Sequence, residues 1–392
     1  MRPLPKLAAR LQTLPEYPLA NIPQRKRELL ARGVDVIDLG AGDADLAPPE
    51  QAIRRLAEAS QQPALQRYGF GLGHVPYREA AAAWMERRFG VRFDPMTELV
   101  PLIGSKEGIS HLAFGFLEPG TTAIIPEPGY NAYQGGTLLA GAEPYRYALR
   151  PRTDFLVDLD EIPDDVLRRA RILYLNYPNN PTAAIAPRDY LARVVSRCRE
   201  LGILLVYDNA YSELAFDGYV PPSIFEIDGA RDVAIEFHSL SKTYNMTGWR
   251  CGWAVARPEI CAALAKVKSF TDTGQFMAVQ AAGVAAIESW ADFVPRNVAV
   301  FEARRDAADR SHAHVLDTLC RRLVRPVGRG EDAPDRFVED HAAENDHEQR
   351  VRDDRGDERA ARHAIARLEL REDLVRGTSR RTIHQTALTA KP

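Results

Sequence analysis

His238-Ser239-Leu240-Ser241-Lys242-Thr243-Tyr244-Asn245-Met246-Thr247-Gly248-Trp249-Arg250 sets one lysine among hydroxyl side chains, with an arginine eight residues further on. Apolar runs at 232–237 and 251–256 bound the stretch. Two short β-like runs joined by a polar connection put Lys242 at a strand end, where ligand sites of α/β proteins gather. An amine held beside another cation in a partly desolvated site has a lowered pKa and attacks carbonyls, forming an imine. Arg250 would be that cation. Taken alone, Ser-x-Ser-Lys also describes a solvated loop with a surface lysine.

Working upstream, strand-like runs at 122–126, 143–149, 172–176 and 203–207 alternate with helical patterns at 130–140, 159–168 and 188–201. Strands separated by helices of this length imply crossover units and a mostly parallel sheet. The run 203–207 is followed by Asp208. An unpaired carboxylate closing an apolar strand is costly, so it must face a cation or take up a proton. Tyr211 lies three residues on, and Asn180 sits in a proline-stiffened loop, 176–182, after another buried strand. Tyr130 follows Pro128-Gly129 at a strand-to-helix turn, where its ring could stack on a planar ligand; core packing is the ordinary role of a lone tyrosine. Residues 99–108 run from a strand straight into a helix. Gly104 would permit a close approach there, and the amides of Ser105 and Lys106 would point toward an anion. A serine near glycine equally describes an ordinary capped helix. The glycines at 69, 71 and 73 make a weak phosphate loop because no strand precedes them, and they read as a flexible turn.

The chain has 392 residues, 45% of them hydrophobic, enough for two or three domains with a core. A formal net charge of -3 argues against general nucleic-acid or acidic-membrane partners and favours small molecules. Cys198, Cys251, Cys261 and Cys320 show no paired spacing, which leaves zinc and structural disulfides without support. The N-terminal residues lack an apolar signal core, and no apolar run reaches membrane-spanning length. A cytoplasmic protein without a metal is expected.

Taken together, Gly104-Ser105-Lys106, Asn180-Pro181, Asp208-x-x-Tyr211 and Ser239-x-x-Lys242-x7-Arg250 resemble the class I/II aminotransferases, the fold type I pyridoxal-phosphate enzymes. The wording of the lysine segment is most similar to the branch that contains LL-diaminopimelate aminotransferases, and the resemblance covers about residues 65–256. It implies an α/β fold with a seven-stranded, mostly parallel sheet in a large domain, plus a small α/β domain. It implies pyridoxal 5'-phosphate carried on Lys242, with Ser105, the Lys106 backbone, Ser239 and Arg250 around the phosphate. Asp208 would face the ring nitrogen, Asn180 and Tyr211 the 3-oxygen, and Tyr130 the ring itself. Tyr68 would act in the site of a neighbouring subunit, which implies a homodimer. The side chain of Lys106 belongs to the helix surface or to specificity rather than to catalysis. The usual glycine after Asn-Pro-Thr is Ala183 here. The implied reaction moves an amino group between an amino acid and a 2-oxo acid, LL-diaminopimelate with 2-oxoglutarate first. A broad aspartate, alanine or glutamate aminotransferase, or a catalytically impaired cofactor-binding protein, are the alternatives.

Three segments are expected. Residues 1–45 form an arm and part of the small domain, with short helices broken by Pro3, Pro5, Pro15, Pro18 and Pro23 and a strand at 34–40. Residues 46–290 form the large domain and close with two amphipathic helices. Residues 291–392 begin with an interdomain helix around 296–305. Beyond about Ala308 the texture changes. Phe337 is the only aromatic apart from histidine after Phe301, and His312, His314, His341, His347, His363 and His384 crowd this end without a compact ligand spacing. Residues 331–362 are too polar to bury a core, and no arginine stands in the motif expected to grip a substrate α-carboxylate. Such an arginine, aspartate and histidine excess is what a frame change in a GC-rich coding sequence produces.

Overall fold

A computed structural model describes residues 4–15, 21–36 and 43–323, with side chains to residue 310. Through Phe301 these residues belong to one compact unit, and Glu302 opens a second. Seven strands make a single sheet: β1 (Leu99–Leu102), β2 (Thr122–Glu127), β3 (Glu143–Ala148), β4 (Ala170–Leu175), β5 (Leu204–Asp208), β6 (Ala234–Ser239) and β7 (Gly252–Ala256). Their order is β1-β7-β6-β5-β4-β2-β3. Only β7 runs against its neighbours, β1 and β6, and every other pairing is parallel.

Apart from the edge strand β3, which is largely exposed or half-buried, the sheet is buried on both faces, which is why most of its strands read as apolar runs. Alternation still sorts the side chains. Leu173, Leu175, Leu205 and Tyr207 face one cluster with Trp84, Leu191 and Trp253, whereas Ile172, Tyr174, Val206 and Phe237 face another with Ile109, Leu112 and Leu264. The helices Val75–Phe89 and Arg188–Leu201 contribute to the first cluster; Ser105–Phe116 and Pro258–Thr271 contribute to the second. Truncating any one of these buried aliphatic side chains to alanine costs roughly 2–5 kcal/mol, so the sheet is a stiff platform. The carboxyl ends of β1, β2, β4, β5 and β6 open on the same side, where crevices form in doubly wound sheets.

The strands predicted from residue 99 onward form, with ends shifted by one or two residues. The two helices expected before residue 290 are Pro258–Thr271 and Met277–Glu288, and a long helix, Trp290–Leu323, includes the expected 296–305. Three expectations are corrected. The helix expected at 159–168 is split at Pro163 into a 3-10 turn, Leu159–Glu161, and a helix, Asp164–Arg169, because proline cannot donate to a preceding carbonyl. Pro23 does not break a helix. It stands in the first turn of Ile22–Ala31, where a missing amide costs nothing. Val34–Val36 is not a strand and has no sheet partner among the described residues, while 37–40 lies outside them, as does everything after residue 323 in the segment beyond about Ala308 where a frame change is expected. No described helix is long and apolar enough to cross a membrane.

Candidate active site

β6 ends at Ser239 and β7 begins at Gly252, paired across the antiparallel ladder. The lysine segment is the connection between them. It opens with a short helix, Leu240–Thr243, capped by Ser239, whose hydroxyl accepts the Ser241 amide at 3.2 Å. Burial lowers the pKa of Lys242; Asp43 opposes this and Arg250 adds to it. The polar setting inferred for this amine is therefore present, with Asp43 as an additional neighbour.

Arg250 returns over the carboxyl end of β1. Its Nη1 donates to the Thr247 carbonyl at 2.9 Å and to Ser241 Oγ at 3.3 Å, and its Nη2 to the Ile103 carbonyl at 3.4 Å. It holds φ at 55°, a left-handed backbone that costs a non-glycine residue roughly 1–2 kcal/mol. Such strain persists only where the surroundings over-determine it, and it collects at functional sites. Gly104, at φ 71°, caps the helix Ser105–Phe116, and a Cβ there would fall on the Arg250 guanidinium. At Gly252 a Cβ would lie 3.3 Å from the Ser105 amide and 2.5 Å from the His238 carbonyl. Two glycines thus bring a guanidinium, the buried Ser105 and a helix N-terminus together, an arrangement suited to phosphate.

Asp208 ends β5 and is 5% exposed. Its Oδ2 accepts the Tyr133 hydroxyl at 2.8 Å, and its carbonyl accepts Asn176 Nδ2 at 2.7 Å. Its Oδ1 is buried and has no hydrogen-bond partner among the described residues. Burial pushes the carboxyl up to about 6 against the opposing pull of Tyr133, His238 and the Ala210 amide. A buried acceptor left open in this way calls for a cationic donor. Behind it, Glu236 gathers Asn209 Nδ2 at 2.8 Å, Ser223 Oγ at 2.6 Å and the Ile224 amide at 3.0 Å, which fixes the residue next to Asp208.

Around that carboxylate lie the other predicted groups. Burial and Asp208 push the Tyr211 phenol up to about 12, with the Asn180 amide pulling the other way, so Asp208, Tyr211 and Asn180 share one neighbourhood. Ala183, in place of the family's glycine, sits at φ 58°, a backbone glycine adopts without penalty. Tyr130 meets Tyr133 edge to face, ring centroids 5.7 Å apart, and Lys106 Nζ lies 5.8 Å from the Tyr130 centroid. Lys106 itself is exposed, as expected of a helix-surface side chain. Tyr68 stands apart: it is 73% exposed on the turn before Gly69, against Phe70.

Three participants escaped the sequence reading. Tyr133 follows Tyr130 by three residues and reads as one more apolar-face aromatic, yet it is the donor that orients Asp208 and it stacks on Tyr174 at 4.6 Å. Ser241 was hidden by the nearer Ser239, although the alternation Ser-Leu-Ser before the lysine carried the signal. Asn176 closes β4 one strand away from Asp208, and only the sheet order makes them neighbours.

A pyridine ring with a phosphate arm meets these features point for point: an open acceptor at one end and a glycine-lined, cationic helix N-terminus at the other. Residues 34–320 match the family described as aminotransferase class I and II. The LL-diaminopimelate aminotransferase of Desulforudis audaxviator is 47% identical over 319 residues, which covers 81% of this chain and 80% of that protein. That of Aquifex aeolicus is 46% identical over 278 residues, 71% of this chain and 72% of that one. Among solved structures, substrate-bound BacF from Bacillus subtilis matches with a TM-score of 0.74 at 33% identity over 77% of each chain. A Thermus thermophilus aspartate aminotransferase mutant matches with a TM-score of 0.74 at 26% identity, over 80% of this chain and 81% of that one.

Proposed function

This chain belongs to the aminotransferase class I and II family, and from that premise we propose that it moves an amino group between LL-diaminopimelate and 2-oxoglutarate. The enzyme class, a pyridoxal-phosphate transaminase of fold type I, follows from the family. The observation that carries the cofactor assignment is the partnerless, buried Oδ1 of Asp208. The substrate follows the names of the relatives that are 44–47% identical to this chain.

Each residue has a task. Lys242 is the amine that carries the cofactor. When its amine is free, the lowered pKa would let it take the proton from the substrate Cα and give it back as a general acid. Pyridoxal phosphate, when bound, supplies an electron sink for the charge left on that carbon. Asp208 would keep a proton on the ring nitrogen, and Tyr133 holds the second carboxylate oxygen, leaving Oδ1 to accept it. Asn180 and Tyr211 address the 3-oxygen and Tyr130 covers the ring. Ser105, the Lys106 amide, Ser239, Ser241 and Arg250 hold the phosphate, Arg250 through its planar fork. Tyr68, exposed here, reaches the phosphate of a second copy in a homodimer. The enzyme works in the cytoplasm. The residues up to 45, 46–290 and 291–392 act as arm, cofactor domain and carboxyl-terminal segment.

The family match ends at residue 320. The arginine-, aspartate- and histidine-rich residues beyond it supply no recognisable grip for the substrate α-carboxylate, which supports the reading of a shifted frame and of an impaired enzyme as written. The test compares the chain as given with one whose 3′ coding end is read in the alternative frame. Both should take up cofactor, with borohydride fixing it on the peptide that contains Lys242. The restored chain should form glutamate from LL-diaminopimelate and 2-oxoglutarate faster than from aspartate or alanine. Fixation on another lysine refutes the site, a better rate with aspartate or alanine refutes the substrate, and equal turnover by both chains refutes the frame change.

A further inference from the structure

Glu107 is the third residue of the helix Ser105–Phe116, inside the turn whose amides are assigned to the phosphate. A carboxylate at that position opposes an incoming dianion, and partial burial lets the repulsion act through little solvent. Burial pushes Glu107 up, but His111, Lys268 and the Ile103 amide outweigh it and hold the carboxyl below the ordinary range, so it is ionised. The carboxylate also has a structural task. Its Oε2 accepts the Ile103 amide at 2.9 Å, and the Ile103 carbonyl in turn accepts Arg250 Nη2. Glu107 therefore pins the loop that carries Gly104 and reaches the guanidinium.

Its charge is answered from another helix, Pro258–Thr271. Lys268, 5% exposed, places Nζ 2.8 Å from Glu107 Oε1 and 3.1 Å and 3.2 Å from the two oxygens of Asp272. His111 Nδ1 lies 2.6 Å from Glu107 Oε1 and 3.4 Å from Asp272 Oδ2. Glu107, His111 and Asp272 are close enough to share an ion, within 4.8 Å, but the Lys268 ammonium already supplies the cation.

We propose that Lys268 is a positioning residue for the phosphate end of the site: its ammonium, shared with Asp272, offsets the Glu107 charge, so that the carboxylate can pin the Ile103–Gly104–Ser105 loop with less repulsion of the phosphate. The inference rests on the cofactor assignment made above. It separates electrostatics from architecture, because it predicts that removing the anion repairs the loss caused by removing the cation.

The experiment titrates cofactor-free protein with pyridoxal phosphate and, separately, with pyridoxal, following absorbance and intrinsic fluorescence. Lys268→Met should raise the Kd for pyridoxal phosphate on the order of tenfold and leave that for pyridoxal unchanged. Lys268→Met with Glu107→Gln, in which glutamine still accepts the Ile103 amide, should recover most of the lost affinity, with Asp272 left as the remaining anion. Glu107→Gln alone should bind pyridoxal phosphate at least as tightly as wild type, and inorganic phosphate should compete more strongly against pyridoxal phosphate in this variant than in Lys268→Met. Equal losses for both ligands, or no rescue in the double variant, overturn the proposal in favour of a packing role. Should Lys268→Met fail to fold, Glu107→Gln decides: weaker binding of pyridoxal phosphate overturns the shield. A wild-type protein that takes up no pyridoxal phosphate sinks the cofactor assignment itself, whereas normal uptake with an unaffected Lys268→Met sinks the shield alone.

Discussion

In the proposed site the ring end would rest on one carboxylate among tyrosine rings, while at the phosphate end the load would be spread over helix amides, hydroxyls and a guanidinium. Among the described residues, Asp208 has a single side-chain donor, Tyr133, and one oxygen left open. Arg250 is tied to three separate oxygens and lies against the backbone of Gly104. A lone charge in a dry pocket is worth much and has no substitute, whereas a distributed anion site loses one partner and keeps the others. Substitutions at the ring end should therefore act on turnover and those at the phosphate end on affinity. Lys242, between the two, reports on both.

The largest effect is expected at Lys242. In the frame-restored chain, Lys242→Ala should lower kcat on the order of ten-thousandfold or more, because amine and proton carrier vanish together. Its affinity for pyridoxal phosphate should fall much less if the phosphate end is independently built. Loss of all cofactor affinity would break the comparison, since the phosphate contacts would then depend on the amine.

Next comes Asp208→Asn, which keeps the shape and removes the charge. A kcat reduced on the order of a thousandfold with little change in cofactor affinity is expected from loss of the electrostatic partner. The same variant has a signature in the cofactor-free protein. The folded pKa of Asp208 is raised from 3.8 to about 6, so the stability contributed by its neutral form is complete below the ordinary value and is lost as pH rises through about 6. That loss is about 2 kcal/mol between pH 4 and pH 7 by linkage. Chemical denaturation at several pH values should show it in the wild type and not in Asp208→Asn. A flat wild-type profile would mean that the carboxylate is better solvated than its burial indicates.

Tyr133→Phe should be intermediate. It leaves Oδ2 without its donor, a penalty of about 2 kcal/mol that corresponds to roughly thirtyfold in kcat. The low-pH stabilisation of the cofactor-free protein should also extend to higher pH, because the hydrogen bond that favours the charged carboxylate is gone. An unchanged pH profile would reduce Tyr133 to a packing residue. The smallest effect belongs to Arg250→Lys, which keeps the charge and loses the fork. Cofactor affinity should weaken about tenfold with kcat nearly preserved. A larger kcat loss here than in Asp208→Asn would invert the comparison.

Which parts of this were legible in the sequence follows the same division. Lys242, Asp208 and Asn180 stand just after apolar strands, and carboxyl ends of strands are where a sheet builds sites, so position along the chain sufficed. Tyr133, Asn176 and the Lys268–Glu107 pair are set by which strands and helices become neighbours, and 161 residues separate the last two. Nothing local marks one lysine and one glutamate as partners over that span. Residues 34–36 carried strand-like composition, but strands exist only as pairs, and the described residues offer them none. Pro163 and Pro23 show the reverse: a local rule was available, and position within the helix decided whether proline ended it or began it.

The antiparallel placing of β7 between β1 and β6 makes the connection that holds Lys242 a ruler. Both its ends are clamped by the pairing of Ser239 with Gly252. A one-residue insertion between Lys242 and Arg250 cannot be absorbed by letting β7 slip. Slippage by one would turn Trp253 and Val255 onto the side now held by Ala254 and Ala256, against both neighbouring strands at once. The distance from amine to guanidinium is thus written in the ladder rather than in the loop. Point changes among the residues between Lys242 and Arg250 should be far easier for the fold to accept than any change in their number.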